Sequence, residues 1–127
     1  LEHREFLVHY QPIVSLNSGR VSGFEALIRW QHPQRGWVSP VEFIPVAEET
    51  GSIVPIGWWI LEQVCQQLRT WQQQSLVDSR LTVNVNLSGK QLMQPDLVRE
   101  VKHILHKTGL SPSSLKLEIT ESVLMDN

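Results

Sequence analysis

Three oxygen-bearing side chains stand near the ends of predicted strands, where polar groups are costly to bury. Glu25, Asn86 and Glu118 each fall toward the C-terminal end of a strand, the end at which α/β barrels and open parallel sheets build their sites. Because an uncompensated carboxylate or amide is unfavourable in a protein interior, we expect the three groups to converge on one cation. Their oxygens, without thiolate or imidazole partners, predict a Mg²⁺ or Mn²⁺ site.

An arginine follows the first of these acids on the same strand. Arg29 lies four residues after Glu25, and Leu27 shares their face. A guanidinium beside a bound cation is suited to a phosphate group, because it donates two parallel hydrogen bonds while the metal takes another oxygen. The combination predicts hydrolysis of a phosphoester by a metal-activated water.

A structural role is the competing interpretation for each residue. Glu25 and Arg29 are spaced to form an internal salt bridge. Asn86 lies just before Ser88, so strand-end and helix-cap chemistry would also explain it. Glu118 and Glu121 are compatible with a solvated strand edge. Only the joint placement of these residues favours a metal site.

Strand patterns would place these residues on one sheet. We predict strands at 6–16, 21–30, 81–87 and 115–120, of which the first two are separated by the turn signal Asn17-Ser18-Gly19 and therefore form an antiparallel hairpin. In the third strand the apolar and polar residues alternate, so one face should be buried and the other polar.

Helix signals occupy the intervals between strands. The first predicted helix is capped by Ser39, begins at Pro40, has Glu42 bonding back to the cap and ends at Gly51. A long amphipathic helix is predicted within 52–74, and a further helix start at Ser88 and Gln91. The last helix restarts at Pro95 and ends at Gly109, and its apolar face comprises Val98, Val101, Ile104 and Leu105. Strands separated by helices indicate a parallel sheet with right-handed crossovers, the α/β class.

Composition argues against several classes of function. Eleven Lys and Arg oppose 13 Asp and Glu, for a formal net charge of -2. Without a basic cluster, neither DNA, RNA nor an anionic membrane is an expected partner. A single cysteine, Cys65, forms no internal disulfide. No apolar run approaches the ~20 residues that cross a bilayer, so we expect no membrane insertion and a cytoplasmic location.

Five segments, in order, carry a family resemblance. They are residues 10–13 (YQPI), 25–30 (EALIRW), 39–51 (SPVEFIPVAEETG), 85–92 (VNLSGKQL) and 117–121 (LEITE). Together they resemble the motifs of the EAL family of bacterial cyclic di-GMP phosphodiesterases. A lone Glu-Ala-Leu would carry no weight, but five motifs at matching spacing extend over nearly the whole chain.

The resemblance implies a modified (β/α)₈ barrel with an antiparallel first strand. It also implies that two divalent cations hydrolyse one phosphodiester bond of cyclic di-GMP to linear pGpG. By the same resemblance, Glu25 is catalytic and binds metal, Asn86 and Glu118 are metal ligands, Gln11, Leu27 and Arg29 contact substrate, and Glu121 is a further acid of the catalytic site that holds a neighbouring loop.

Later motifs of the family do not occur before Asn127. An adjacent pair of aspartates before Phe-Gly, a later Lys and a Glu-Gly-Val-Glu segment are absent. Since a (β/α)₈ barrel takes ~250 residues, we expect 1–127 to be the N-terminal half of an EAL domain, with about four of eight strands.

Half a site should behave differently from the parent domain. Two carboxylates do not balance two divalent cations, so we expect weak or single metal binding and no turnover by these residues alone. Exposed strand edges should drive homodimer formation, and we expect fused sensory or cyclase-type domains in the full protein. The alternatives are a non-catalytic cyclic di-GMP receptor and a signalling or dimerisation scaffold.

Overall fold

A mixed sheet with helices on one face forms the body of the protein. The structure is a computed structural model that describes residues 5–119. Within that range the sheet has five strands: β1 (Phe6–Val14), β2 (Val21–His32), β3 (Gly36–Val38), β4 (Thr82–Leu87) and β5 (Leu115–Ile119). The helices there are α1 (Pro40–Thr50), α2 (Ile53–Gln73), α3 (Gly89–Leu92) and α4 (Leu97–Thr108), and a 3₁₀ turn spans Pro112–Ser114.

The topology confirms the predicted α/β class. The strand order is β1-β2-β4-β5, and β3 pairs with β2 outside that path. β1 runs antiparallel to β2, whereas β2, β4 and β5 are mutually parallel. The predicted hairpin is therefore correct, and its turn uses Gly19 at φ 71°, a left-handed conformation that glycine adopts without steric cost. Strand β3 was not predicted, because three residues are too few to show a period.

The core lies between the sheet and α2. Leu61, Val64, Cys65 and Leu68 of α2 are each at most 1% exposed, and they pack with β4 residues of one parity, such as Val83. Burying one such aliphatic side chain contributes about 1.5–3 kcal/mol. Because strand side chains alternate, β4 residues of the other parity lie on the opposite face, away from these helices.

A second core cluster joins α1 to the β1–β2 hairpin. Phe6, Trp30 and Phe43 pack there, with the Phe6 and Trp30 rings stacked at 5.7 Å between centroids. Helix α1 starts as predicted, since the Ser39 hydroxyl accepts a hydrogen bond from the Val41 N–H, and it ends at Gly51.

Three predicted details of the helices are wrong. Glu42 does not bond back to its cap, because its carboxylate lies 3.4 Å from the Arg35 guanidinium, a charged partner in the preceding turn. Helix α4 begins at Leu97 rather than at Pro95. Val98 is 65% exposed, because it lies in the first turn, beyond the row through Val101 that packs on the core. None of the helices within 5–119 has the length and apolarity that spanning a membrane requires.

Candidate active site

Four polar side chains meet on the face of the sheet opposite the helices. Parallel register places Glu25 beside Asn84, and Asn86 beside Glu118. The Asn86 amide donates to the Glu25 carboxylate at 3.4 Å, and the Asn84 amide donates to the Glu118 carboxylate at 2.5 Å. The three predicted residues therefore lie on adjacent strands of one face, and Asn84 joins them.

The hydrogen bonds leave amide oxygens available. In both pairs the amide nitrogen is the donor, so the carbonyl oxygens of Asn84 and Asn86 are not used in these contacts. The Asn84 Oδ1 is buried and has no hydrogen-bond partner among the residues that the structure describes. A buried carbonyl oxygen without a partner is unfavourable, and a cation would satisfy it.

The oxygen donors of this group are of the kind that a hard cation prefers, but only two of them are charged carboxylates. Within residues 5–119, no group of three or more His, Cys, Asp or Glu is placed to hold a metal. Glu25 and Glu118 supply two negative charges, and the asparagines supply neutral oxygens. Such a set fits one Mg²⁺ or Mn²⁺ ion better than two, because each ion carries two positive charges.

The salt-bridge alternative for Glu25 does not hold. No ion pair joins Glu25 to Arg29 in the described part of the chain, where the described ion pairs involve other residues. Instead, Nη1 of Arg29 donates to the Ile28 carbonyl oxygen at 2.9 Å. Its other guanidinium donors have no partner within residues 5–119 and are therefore available to bind an anion.

Asn86 and Glu118 each make a hydrogen bond within the polar group. Ser88, not Asn86, caps α3, and the Asn86 side chain contacts Glu25. Glu118 lies on β5, the outermost strand in the described sheet order, but it is half-buried and accepts a hydrogen bond from Asn84.

A cavity of about 620 Å³ opens beside this group. Pairing of β2 with β4 ends at Ala26 and Val85, and the space lies where the two strands separate. Leu27, Arg29 and Asn86 line it from the strand ends. Two of the predicted substrate contacts therefore share one cavity with a predicted metal ligand.

Among the described residues, Glu25, Glu118 and Gln11 do not line this cavity. Gln11 of β1 stands opposite Glu25 in the antiparallel register and is exposed. It therefore adjoins the polar group rather than the cavity. Glu121 lies outside the described residues, so its predicted role stays a prediction.

Comparison with known proteins decides the family. The family model described as the EAL domain matches residues 1–127. The chain belongs to the EAL domain family. The bifunctional diguanylate cyclase/cyclic di-GMP phosphodiesterase MucR of Pseudomonas aeruginosa is 45% identical over 125 residues, covering 98% of this chain and 18% of MucR. The cyclic di-GMP phosphodiesterase PdeR of Escherichia coli is 37% identical over 127 residues, covering 100% of this chain and 19% of PdeR.

Solved EAL structures confirm the partial barrel. A structure titled "PaMucR Phosphodiesterase, c-di-GMP complex" superposes with a TM-score of 0.91 at 42% identity, covering 98% of this chain and 50% of that one. The chain thus spans half of that solved chain and less than a fifth of the two curated relatives. Both the family resemblance and the partial TIM-type fold are therefore correct.

A capping box fixes the turn that follows Asn86 in this EAL chain. The Gln91 N–H donates to the Ser88 hydroxyl at 3.3 Å, and the Ser88 N–H donates to the Gln91 side-chain oxygen at 3.0 Å. Gln91 is only 4% exposed and lies against Gly57 of α2, where a Cβ would stand 1.6 Å from its Nε2. Helix α2 thereby supports the strand end that carries Asn86.

Two residues that contact or line the candidate site, Asn84 and Glu48, were not predicted as site residues from the sequence. Asn84 lies two residues before Asn86, and this spacing was the available signal, because it places both amides on one face of β4. Glu48 of α1 lines the cavity. It had no signal of its own, since an acid near a helix end is ordinarily exposed.

Proposed function

We propose that this chain supplies half of the active site of a cyclic di-GMP phosphodiesterase, which hydrolyses one phosphodiester bond of its substrate to give linear pGpG. The observation that carries the proposal is the Glu25–Asn86 contact between parallel strands, with Glu118 in the adjoining register position. The group adjoins a cavity lined by Arg29. Membership of the EAL family and similarity to the named phosphodiesterases support the choice of substrate.

Glu25, Asn86 and Glu118 would hold Mg²⁺ or Mn²⁺. When bound, the metal would supply Lewis-acid activation of water and neutralise charge on the phosphate. The complete domain would use two ions. This chain would bind one ion, or bind metal weakly, because its two carboxylates balance the charge of a single divalent cation. Asn84 would orient Glu118 through their hydrogen bond.

The remaining residues would bind and orient the substrate. Arg29 would donate hydrogen bonds from its free guanidinium nitrogens to non-bridging phosphate oxygens. Leu27, which lines the same cavity, would pack against the nucleotide and exclude water. Gln11 would contribute an amide beside Glu25, its register partner. Glu121 would act as a further acid of the catalytic site by holding a neighbouring loop.

The setting of the domain is part of the proposal. We expect residues 1–127 alone to have no measurable turnover and to associate as a homodimer through strand edges. We expect the full protein to be a cytoplasmic bacterial signalling protein with fused sensory or cyclase-type domains. The small share of each curated relative that this chain covers is consistent with such fusion.

Calorimetry and product analysis on the full-length protein test the proposal. Wild type should bind cyclic di-GMP and release pGpG when Mg²⁺ is present. Arg29→Ala should weaken nucleotide binding by about 10- to 100-fold, as expected for loss of a hydrogen bond to a charged group, with little change in metal affinity. Arg20→Ala, at an exposed turn, is the control and should match wild type.

Three outcomes would contradict parts of this proposal. Nucleotide binding without turnover would indicate a receptor. Neither binding nor turnover would favour a scaffold. Normal binding by Arg29→Ala would remove the phosphate-binding role of that residue.

A further inference from the structure

An acid on helix α1 faces the same cavity as Arg29. Pro40, Ile44 and Glu48 are spaced four residues apart, so they form one row along the helix, and all three line the cavity. The next row toward the core, Phe43 and Ala47, is buried in the protein interior. The row that ends at Glu48 is therefore the surface that α1 presents to the cavity.

The Glu48 carboxylate has no partner in the part of the chain that the structure describes. Among residues 5–119, no hydrogen bond or ion pair involves its side chain, although it is half-buried. By contrast, Glu42 on the same helix pairs with Arg35. The cavity is lined largely by apolar side chains, including Ile44, Ile53 and Met93. The Glu48 oxygens are not among the buried unpartnered atoms of the described residues, so they are accessible to hydrogen-bond donors of a ligand in the cavity.

The cavity has the dimensions and chemistry of a nucleotide site. Its volume of about 620 Å³ falls within the roughly 300–1,000 Å³ of typical small-molecule sites. Apolar side chains suit the faces of a flat base, and Arg29 suits a phosphate. Of the two charged side chains among the described residues that line it, Arg29 and Glu48, the carboxylate of Glu48 remains to be matched.

We infer that Glu48 recognises the Watson–Crick edge of a guanine base in this cavity. The inference rests on the proposed function and names the residue that selects the base. Guanine presents two adjacent donors, N1–H and the N2 amino group, which match the two oxygens of a carboxylate. Adenine presents an acceptor at N1, which a carboxylate repels. A site built to accept such hydrogen bonds discriminates against ligands that lack them.

The contact between Glu48 and the guanine base can be isolated by changing the ligand and the protein in turn, using the full-length protein. Affinities for cyclic di-GMP and for cyclic di-IMP, whose bases lack the N2 amino group, are measured for wild type, Glu48→Gln and Glu48→Met. Glu49→Gln is the matched control, because the neighbouring acid on α1 is exposed. Michaelis constants and kcat for both ligands are measured in parallel.

We expect wild type and Glu49→Gln to bind cyclic di-IMP at least about tenfold more weakly than cyclic di-GMP, the size of one hydrogen bond to a charged group. In Glu48→Gln and Glu48→Met that difference should fall below about threefold. The Michaelis constant for cyclic di-GMP should rise while kcat changes little, because the residue contacts the base rather than the reacting phosphate.

Several results would overturn the inference. An undiminished preference for cyclic di-GMP in the Glu48 variants would do so, as would equal affinities of wild type for the two ligands. If Glu48→Gln does not fold, Glu48→Met, which suits an apolar cavity, is judged by the same criteria. A wild-type protein that binds neither ligand would overturn the proposed function itself and, with it, this inference.

Discussion

Gly57→Ala should destabilise the protein, although it replaces glycine by alanine within a helix. Gly57 lies inside α2, where alanine is ordinarily favoured by about 1 kcal/mol. Here the added Cβ would stand 1.6 Å from Nε2 and 2.4 Å from Cδ of Gln91. The Gln91 side chain would have to leave its position.

The cost of moving Gln91 exceeds the gain in helix propensity. Its side-chain oxygen accepts the Ser88 N–H at 3.0 Å, and losing such a cap costs about 0.5–2 kcal/mol. Displacing a buried amide from its partners adds about 1–3 kcal/mol. After the gain of about 1 kcal/mol from alanine, we expect a net destabilisation of about 0.5–4 kcal/mol.

Urea unfolding followed by circular dichroism measures this effect, with Gln91→Ala and the double variant completing the cycle. In the Gln91→Ala background, Gly57→Ala should be neutral or stabilising, because the clash is gone. Ordinary stabilisation by Gly57→Ala in the wild-type background would refute the reasoning, since it would show that Gln91 does not occupy the space over Gly57. Weaker metal binding by Gly57→Ala would connect this packing to Asn86.

Three further predictions concern the site and the core. Glu25→Gln should abolish turnover in an assay of pGpG release while shifting the melting temperature by only a few degrees; severe unfolding would mean that Glu25 is structural. Asn84→Ala should raise the Mg²⁺ concentration needed for half-maximal binding in calorimetry, whereas an unchanged value would argue against its orienting role. Burial raises the pKa of Cys65 from 9.0 to about 12 and that of Tyr10 from 10.0 to about 12. Because both folded values lie above the unfolded ones, stability should hold below pH 9 and fall between pH 9 and 12, as thermal melts across that range will show.

The fold was predictable where local signals and burial agree. The hairpin of β1 and β2 has a turn and two alternating strands, and α2 has a long apolar stripe, so both were correct. The start of α3 carries a complete capping box between Ser88 and Gln91, which is a local signal that depends on no distant contact.

The failures involve long-range competition or position along an element. Glu42 has the sequence position of a capping residue, but Arg35 offers it a charge of opposite sign, and the local pattern does not show which bond wins. Val98 lies in the correct sector of a helix but too near its start to be covered. Both outcomes depend on neighbours outside the local segment.

That the polar residues share one face was predictable, but their hydrogen bonding was not. Alternation along the strands places Glu25, Asn86 and Glu118 on one face, and the parallel registers agree with this. The expectation that Glu25 lies toward the C-terminal end of its strand is wrong, because β2 continues beyond it to His32 and pairs there with β3. That Asn84 donates to Glu118 depends on the parallel register of β4 and β5, which the sequence does not specify. Whether Glu48 lines the cavity similarly depends on how α1 packs beside the ends of β2 and β4, which the sequence does not specify.

The two asparagines explain how this half of the site can fold before metal binds. Each carboxylate already accepts a hydrogen bond from an amide on the neighbouring strand, Glu25 from Asn86 and Glu118 from Asn84, so metal is not needed to compensate it. The same contacts direct the amide nitrogens toward the acids and leave the carbonyl oxygens available as ligands. Metal should therefore stabilise the folded protein only by mass action, in proportion to the logarithm of its concentration relative to its Kd. A protein that unfolds when the metal is chelated would contradict this account, because it would show that the amide contacts do not compensate the two acids.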